Sequence, residues 1–280
     1  MIFEEKINGM VLFDMIFVVL VYRNDKDLKD FILSIDKSAE YSYKIVVVDA
    51  FYNLDASLRI EEVAEKYNAD YLMVENKGYS YGNNYGIEYV RSKYDYKYLV
   101  VSNPDIIVNK IVLPTMTKEP AAVYGPCIYN MKGKNTNPMY YKKIIVAQRM
   151  EYLGFVLNSK ILFYSGVLVN KLFRLITKQI NKNNNIVRVF QLHGSFIIFS
   201  KEVIESLDKV FDEKMFLFAE ESYLALRLEE KRIKCFLCSD MNVIHKEDGS
   251  MHFRNDIGKQ LRDSNIYVFE KYYKFSESKV

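Results

Sequence analysis

The chain has 280 residues, of which 50% are hydrophobic and 27% are charged. This balance is typical of a globular protein with a sizeable core, and it excludes a disordered, collagen-like or disulfide-stapled chain. The net charge of +3, from 39 Lys and Arg against 36 Asp and Glu residues, gives no electrostatic basis for general nucleic-acid binding. We therefore expect a single domain over residues 1–280 and no nucleic-acid partner.

The cysteines and the apolar segments indicate the cellular compartment. Cys127, Cys235 and Cys238 form an odd set, and no secretory signal pattern is present, so we expect a reducing, cytoplasmic location. The C-x-x-C pair lacks the second pair that a zinc site usually needs, which favours buried structural cysteines. The apolar run Met10–Val21 is interrupted by Asp14 and is shorter than the roughly 20 residues that span a bilayer, so no transmembrane helix is predicted.

The first half of the chain alternates buried strands with helices. Residues 15–22 and 43–49 are continuous runs of β-branched and aromatic residues, as in strands covered on both faces, and residues 28–35 between them have helical spacing. This alternation predicts an α/β fold with a mostly parallel, Rossmann-like sheet flanked by helices. The predicted elements that follow are helix 56–67, strand 69–75, helix 84–93 and strand 96–101.

Polar residues follow each of these four predicted strands. Because the carboxyl ends of parallel strands lie at one edge of a sheet, the four polar clusters should converge on a single rim, where α/β proteins bind their ligands. The clusters are Tyr22 with Asn24, Asp49, Asn76-Lys-Gly78, and Asn103-Pro-Asp105.

The rest of the chain divides into two segments of different composition. Residues 130–190 are rich in Tyr, Lys, Asn, Ile and Phe and show no alternation of strand and helix, so we interpret them as a helical insertion or appendage. Strand and helix patterns return from residue 191, which divides the chain into 10–129, 130–190 and 191–280. The elements predicted in the last segment are strand 193–200, helices 202–207 and 220–231, and strands 235–238 and 242–245.

Short motifs occur in a fixed order along these segments. In the first half they are Tyr22-Arg-Asn24, Val-Val-Val-Asp49, Asn76-Lys-Gly78 continuing to Asn84 and Gly86, and Ser-Asn103-Pro-Asp105. In the second half they are His193-Gly-Ser, Phe211-Asp212-Glu213, Phe218-Ala-Glu220-Glu221 continuing to Arg227, and His245 followed by Gly249-Ser250. Together they resemble the inverting glycosyltransferases commonly called family 2, and particularly its rhamnosyltransferase-like members, over roughly residues 17–108 and 194–273.

The resemblance implies a GT-A fold and a reaction. The reaction is inverting transfer of a hexose or deoxyhexose, with rhamnose slightly favoured, from a dTDP- or UDP-sugar to a growing bacterial surface polysaccharide or lipid-linked glycan. A divalent metal, Mg²⁺ or Mn²⁺, is implied as the cofactor. Residues 10–129 would then bind the nucleotide sugar, and residues 191–280 would hold the acceptor and the catalytic groups.

The metal candidates that the resemblance implies are Asp105 and His245. Asp105 occupies the family's acidic metal motif, in which Asn103 replaces the first acid of the commoner Asp-x-Asp form, as it does in the rhamnosyltransferase-like branch. His245 ends a predicted strand, where a neutral imidazole suits contact with the metal or the diphosphate. The alternatives are a simple turn for the Asn-Pro-Asp motif and a structural histidine.

The donor-binding candidates follow the first three predicted strands. The resemblance implies that Asp49 contacts the nucleotide and that Tyr22 places an apolar face against the base. Gly78 allows close approach of the backbone to a ligand, and Asn84 is a candidate for contact with the sugar or the phosphates. A helix N-cap for Asp49 and an ordinary turn for Gly78 are the alternatives. Asn24, Asn103 and Asp105 complete the candidate donor set.

Inversion requires a base that takes the proton of the acceptor hydroxyl while the nucleotide leaves from the opposite face. Glu221 is the candidate, because the family usually has Glu-Asp where this chain has Glu220-Glu221. Tyr223 also departs from the family, since many relatives have a second Asp there. Alternatively, both glutamates are first-turn acids favoured by the helix dipole. Arg227 could pair with an acid or reach the diphosphate, but a solvated helix face is the favoured interpretation.

Basic residues alternate with large apolar ones between residues 140 and 180. This composition fits a surface that lies on an anionic membrane, which suits a lipid-linked acceptor and a peripheral location at the inner face of the plasma membrane. The alternative is a helical subdomain that covers the core or contacts a second copy of the chain.

Two other functions stay open for the chain as a whole. The first is a nucleotidyltransferase, although the segment Tyr22-Arg-Asn-Asp25 lacks the glycine- and arginine-rich loop usual in that class. The second is a non-catalytic glycan-binding relative, for which the departures at Glu221 and Tyr223 leave room.

Overall fold

The computed structural model describes residues 6–7, 10–113, 119–247 and 257–275, and within them ten strands and eight helices are present. The motif residues Gly249 and Ser250 lie outside these ranges. The strands are β1 (Lys6–Ile7), β2 (Met10–Val21), β3 (Tyr43–Ala50), β4 (Asp70–Val74), β5 (Asp95–Ser102), β6 (Ile106–Lys110), β7 (Ala122–Asn130), β8 (Ile186–Val189), β9 (Phe196–Ser200) and β10 (Lys234–His245). The helices are α1 (Asp25–Ser38), α2 (Leu54–Lys66), α3 (Tyr79–Lys93), α4 (Ile145–Val156), α5 (Lys160–Ile180), α6 (Lys201–Ser206), α7 (Glu220–Glu230) and α8 (Ile257–Lys271).

The sheet has the strand order β4-β3-β2-β5-β9-β7-β10-β6, with β1 beside β2 and β8 beside β10. Strands β4, β3, β2 and β5 are mutually parallel. Strand β9 is antiparallel to both β5 and β7, and β10 is parallel to β7. As a result β2, β3, β4, β5, β7 and β10 all run in one direction, and their carboxyl ends form one edge of the sheet. The expected α/β architecture with a mostly parallel sheet is confirmed.

Two layers of helices cover the sheet because side chains along a strand alternate between its faces. On one face Phe17 of β2 packs against Phe31 of α1, with 6.0 Å between the ring centroids. On the other face Val18 of β2 lies in a cluster with Ile87 of α3 and Leu224 of α7. Both faces of β2 are therefore buried, which explains why its sequence is a continuous apolar run.

Strand β10 is longer than the two short strands predicted in its place. It runs from Lys234 to His245 beside β7, with an irregularity in register between Cys238 and Asn242. On the other side of β10, the first half pairs with β8 and the second half pairs with β6. Two short strands therefore complete the backbone hydrogen bonding of one long strand. Cys235 and Cys238 are buried free thiols, which confirms the prediction of structural cysteines.

Other differences concern elements whose sequences carry weak local signals. Strands β6 and β7 and helix α8 were not predicted, and α3 begins at Tyr79, five residues before the predicted start. Residues 130–190 contain the helix pair α4 and α5 together with strand β8, which joins the sheet. The division of the chain into a donor half, an insertion and an acceptor half stays a prediction. In the described part of the chain, no helix combines the length and apolar character needed to cross a membrane.

Candidate active site

The carboxyl ends of β5 and β10 meet at residues 193–195, here termed the 193–195 loop, which leads into β9. The backbone N–H of Asn103, just after β5, donates to the carbonyl of Ser195 at 2.9 Å. The His193 ring lies against the ring of His245, the last residue of β10, with 5.6 Å between the centroids. Gly194 faces the side chain of Glu221 at the start of α7. Each residue of this loop therefore contacts a different motif of the sequence.

Asp105 and His245 form a pair at this edge of the sheet. The Oδ2 atom of Asp105 lies 3.3 Å from Nε2 of His245, and the Asp105 side chain is almost fully buried. The pairing of β6 with β10 sets His245 opposite Ile106, the residue after Asp105. The N–H of Lys246 also donates to the Asp105 carbonyl at 3.0 Å. The two residues proposed from sequence as metal ligands are thus adjacent, with a carboxylate facing an imidazole.

His193 is held as a neutral imidazole beside this pair. Burial, and then the nearby His245 and Arg174 side chains, lower the pKa of His193 to about 4. Its Nδ1 accepts a hydrogen bond from the N–H of Ser195 at 3.2 Å, so the ring proton lies on Nε2. Its backbone N–H donates to Oδ1 of Asn137 at 3.0 Å. His193 therefore presents a neutral N–H edge at the rim near neutral pH.

Glu220 and Glu221 begin α7 after two residues of unusual backbone conformation. Phe218 and Ala219 have φ angles of 73° and 66°, left-handed values that non-glycine residues seldom adopt and that are common at functional sites. Burial, and then the charge of Glu221, raise the pKa of Glu220 to about 8. Burial likewise raises the pKa of Glu221. A carboxyl group with a raised pKa is suited to accept a proton near neutral pH.

Gly194 and Tyr79 fix the surroundings of the Glu221 carboxylate. A Cβ atom at residue 194 would lie 3.5 Å from Glu221 Oε2, so the carboxylate rests directly beside the glycine. The Tyr79 hydroxyl donates to the Gly194 carbonyl at 2.9 Å. Burial, and then the charges of Glu220 and Glu221, raise the pKa of Tyr79 well above its usual value. The Tyr79 hydroxyl therefore stays protonated beside the two glutamates.

Aromatic side chains follow β2 and β3 at the same edge of the sheet. The rings of Tyr22 and Tyr52 meet edge to face, with 5.6 Å between the centroids, and the guanidinium carbon of Arg23 lies 3.9 Å from the Tyr52 centroid. Tyr52 is 44% exposed, so its ring offers an apolar surface at the rim. Asp49 is the penultimate residue of β3, one residue before the strand ends, and its buried side chain accepts a hydrogen bond from the Tyr71 hydroxyl at 2.8 Å.

Two predicted donor-binding asparagines have partners within the protein. Asn24 is the N-cap of α1, where its Oδ1 accepts from the N–H of Asp27 at 3.1 Å. The buried Asn84 amide donates to the Phe211 carbonyl at 2.9 Å and to Glu213 Oε1 at 3.1 Å. Its Oδ1 also accepts from the Phe211 N–H at 3.1 Å. These contacts support a structural role for both side chains.

The remaining sequence candidates are Gly78, Asn103 and Arg227. Gly78 precedes α3, and the next residue, Tyr79, contacts Gly194. Asn103 lies two residues before Asp105 and is half-buried. Arg227 forms an ion pair with Glu230, three residues further along the same helix, with 2.6 Å between Nη1 and Oε2. This is a normal spacing for an ion pair within a helix.

Three residues at this rim were missed as site candidates in the sequence. His193 belongs to the His-Gly-Ser motif, so that motif was a usable signal. Tyr79 follows the predicted Gly78, but its contact is with a residue 115 positions away. Tyr52 is one of 23 tyrosines in the chain and carries no local signal.

A cavity of about 780 Å³ lies away from this rim, at the amino-terminal end of β10. Its lining includes the basic residues Lys142, Lys143, Arg188, Arg232 and Lys234, and none of the predicted site residues. This cavity therefore does not coincide with the cluster of polar and titratable groups. We place the candidate site by the converging side chains, since open α/β sheets bind their ligands beyond the carboxyl ends of the strands.

A comparison with protein-family models finds no matching family. Among curated proteins, the chain is 24% identical over 253 residues to the low-salt glycan biosynthesis hexosyltransferase Agl10 of Haloferax volcanii, a match that covers 86% of this chain and 70% of that protein. The chain is thus similar in sequence to a hexosyltransferase of glycan biosynthesis.

Solved structures with the same architecture are GT-A glycosyltransferases. The structure of GalNAc-T7 with UDP, GalNAc and Mn²⁺ matches with a TM-score of 0.63 at 13% identity, covering 96% of this chain and 50% of that one. The structure of S. aureus TarS matches with a TM-score of 0.53 at 12% identity, covering 94% of this chain and 46% of that one. The chain spans about half the length of these two proteins and has the GT-A fold.

Proposed function

We propose that the chain is an inverting hexosyltransferase that moves a sugar from a nucleoside diphosphate to a growing glycan or lipid-linked glycan. The observation that carries the proposal is the arrangement around the 193–195 loop, where the Asp105–His245 pair adjoins His193 and the Glu221 carboxylate adjoins Gly194. The similarity to a glycan hexosyltransferase supports the sugar class. The UDP and Mn²⁺ present in the GalNAc-T7 structure support a diphosphate donor and a divalent cation.

The donor nucleotide would lie over the aromatic pair Tyr22 and Tyr52, with Arg23 near its phosphates. An exposed tyrosine face suits a nucleobase, and a guanidinium suits phosphate oxygens. Asp49 would contact the nucleotide only after breaking its hydrogen bond with Tyr71, so the aromatic pair is the better-supported part of the donor site. dTDP-rhamnose and the UDP-hexoses are the donors to compare, and the Asn103-Pro-Asp105 motif favours the first.

The residues at the rim fit a divalent metal ion. Asp105 offers a buried carboxylate and His245 an imidazole at 3.3 Å, and oxygen with nitrogen is a donor set that Mn²⁺ accepts. The described residues contain no cluster of three or more His, Cys, Asp and Glu side chains that could hold a metal, so donor phosphates and water would supply the other ligands. When bound, the ion neutralises the charge that develops on the departing diphosphate.

Glu221 would act as the base. Its carboxylate takes the proton of the acceptor hydroxyl as the acceptor oxygen bonds to the anomeric carbon and the nucleoside diphosphate leaves from the opposite face. Burial raises the pKa of both carboxyls and their mutual repulsion favours a single negative charge on the pair, and the proposal places that charge on Glu221. Tyr79 and Gly194 position the carboxylate, the former through its hydrogen bond to the loop and the latter through its lack of a side chain.

The proposal is tested by release of nucleoside diphosphate from a panel of dTDP- and UDP-sugars, with Mg²⁺ or Mn²⁺ and with EDTA. We expect slow, metal-dependent release from one donor. Glu221→Gln should reduce turnover by about 10²- to 10⁴-fold with little change in donor KM, since it removes the base. Asp105→Ala should weaken donor and metal binding together, measured by calorimetry.

The matched controls are Glu229→Gln, on the exposed side of the same helix, and Asp208→Ala, in an exposed loop. Both should retain full release, and circular dichroism should show that all four variants are folded. Absence of donor binding across the whole panel, with a folded protein, would rule out the transferase and favour a non-catalytic relative.

A further inference from the structure

Helix α5 packs on the protein with its polar side and turns its apolar side outwards. Over its 21 residues, only Gly166 is buried. Leu168 is 55% exposed, and Ile161 and Ile180 at the two ends are 81% and 74% exposed. Soluble helices show the reverse arrangement, with the apolar stripe against the core. Large apolar side chains are also exposed at Tyr164, Leu172, Phe173, Leu175 and Ile176.

The inward side of α5 is held by polar and small residues. Gly166 lies against the carbonyl of Ala147 in α4, where a Cβ would come within 2.5 Å of that oxygen. Asn170 Nδ2 donates to the Met139 carbonyl at 3.1 Å, and Arg174 Nη2 donates to the Thr136 carbonyl at 3.2 Å. Specific hydrogen bonds therefore fix the rotation of α5, so the outward apolar stripe is a defined surface of the fold.

Positive charge borders this stripe. Lys160, Lys171 and Lys178 are all exposed and lie 11 and 7 residues apart, close to three and two helical turns, so they line one flank of the helix. Residues 131–182 contain ten Lys and Arg residues against the single acid Glu151, whereas the whole chain has a net charge of only +3. Glu151 is half-buried and accepts a hydrogen bond from the Tyr140 hydroxyl at 2.6 Å, and the loss of hydration raises its pKa to about 7. The surface around α5 is therefore strongly basic near neutral pH.

We propose that α5 is an interfacial membrane helix, which lies in the plane of an anionic lipid surface with its apolar stripe among the acyl chains and its lysines at the headgroups. Apolar residues flanked by a lysine row are the composition that binds such interfaces. The helix does not meet the requirements for crossing the bilayer. A second copy of this chain is a poorer occupant, because two-fold pairing would bring the same basic flanks together.

The contacts of α5 connect this surface to the candidate active site. Asn170 and Arg174 hold the segment 136–140, and Gln191 accepts hydrogen bonds from the N–H groups of Met139 and Tyr140. Asn137 of the same segment bonds the backbone of His193 at the rim. Seating α5 on a membrane would thus hold the rim close to the lipid headgroups. This part rests on the proposed function, since it identifies the acceptor as a lipid-linked glycan.

The test is co-sedimentation of the full chain with vesicles of phosphatidylcholine, alone or mixed with phosphatidylglycerol, without donor or acceptor. We expect binding to the anionic vesicles that weakens with salt. The triple variant Lys160→Glu, Lys171→Glu and Lys178→Glu should reduce the apparent partition coefficient by roughly 100-fold. Leu168→Ser, Leu172→Ser and Leu175→Ser together should reduce it at least about tenfold. These positions are exposed, so the variants should fold.

Matched controls are Leu54→Ser with Leu58→Ser, which are equally exposed on α2, and the triple variant Lys29→Glu, Lys37→Glu and Lys66→Glu on α1 and α2. Both should bind vesicles like the wild type. No binding to anionic vesicles, or equal binding by the α5 variants, overturns the proposal. A dimer in sedimentation velocity that the leucine variant dissociates also overturns it, with a second copy as the occupant. Because no donor is present, failure here leaves the transferase proposal intact.

Discussion

At the residue scale, Gly78 shows how one position holds the rim in place. Its backbone has φ 100° and ψ 179°, a region open almost only to glycine. A Cβ there would also lie 2.2 Å from the Phe216 carbonyl oxygen, to which the next residue, Tyr79, donates its N–H at 2.8 Å. Since the Tyr79 hydroxyl bonds Gly194, the conformation of Gly78 sets the position of the 193–195 loop.

We expect Gly78→Ala to destabilise the protein by several kcal/mol, because the backbone strain of about 1–3 kcal/mol adds to a backbone clash that cannot relax by side-chain motion. Gly133→Ala is the matched control, because Gly133 has φ 71° but no atom within 4 Å of a built Cβ. Gly133→Ala should reduce the free energy of unfolding only by the backbone strain, about 1 kcal/mol. Urea unfolding followed by circular dichroism measures both, and equal losses would show that the contact with Phe216 is not a constraint.

At the scale of elements, helix α7 begins with a buried acid that favours protonation. The Oε1 atom of Glu220 has no hydrogen-bond partner among the described residues, and the side chain is 4% exposed. Its pKa rises from a usual value of 4.5 to about 8, first through burial and then through the charge of Glu221. The folded state therefore binds this proton more tightly than the unfolded chain does.

Because the folded state binds the Glu220 proton more tightly, the stability of the protein depends on pH in a defined direction. The contribution of Glu220 is fully present below about pH 4.5 and is lost as the pH rises through about 8. Glu220→Gln removes this titration, so its Tm relative to the wild type should increase between pH 5 and pH 9. The corresponding change in the free energy of unfolding is on the order of a few kcal/mol at most. Glu229→Gln, exposed on the same helix, should show a pH-independent difference. A constant Tm difference for Glu220→Gln as well would place its pKa near the usual value.

At the scale of the whole molecule, Asn84 joins parts of the chain that are distant in sequence. It lies in α3, and its amide satisfies both the N–H and the carbonyl of Phe211, 127 residues away. Through this contact the segment that carries Tyr79 is fixed to the segment that precedes α7. A helix and a loop on the two sides of the candidate site are therefore joined directly.

Asn84→Ala should reduce the free energy of unfolding by roughly 2–4 kcal/mol, because it leaves two buried backbone groups of Phe211 without partners. Asn183→Ala, in an exposed loop, is the control and should change stability by less than about 0.5 kcal/mol. Urea titration by far-ultraviolet circular dichroism and tyrosine fluorescence, since the chain has no Trp, should give coincident transitions for the wild type. An unchanged midpoint for Asn84→Ala would mean that the Phe211 groups find other partners.

Local sequence patterns predict the strand and helix alternation over residues 15–101 and the edge of the sheet at which Tyr22, Asp49 and Asp105 lie. Apolar runs in buried parallel strands and the polar residues at their ends are local signals, readable without knowing any partner. The sequence motifs also placed Asp105 and His245 as candidate ligands, and the structure brings these two side chains together.

Long-range contacts, by contrast, set which side chains meet at the 193–195 loop and which way α5 faces. Tyr79 and Gly194 are 115 residues apart, and the paired strands β6 and β10 are more than 120 residues apart, so no local pattern encodes these contacts. In α5 the alternation of basic and apolar residues is visible in the sequence, but this composition fits a membrane-facing surface and a subdomain that covers the core equally. The hydrogen bonds of Asn170 and Arg174 turn the apolar stripe outwards, because polar side chains held by backbone carbonyls anchor the helix by its polar face.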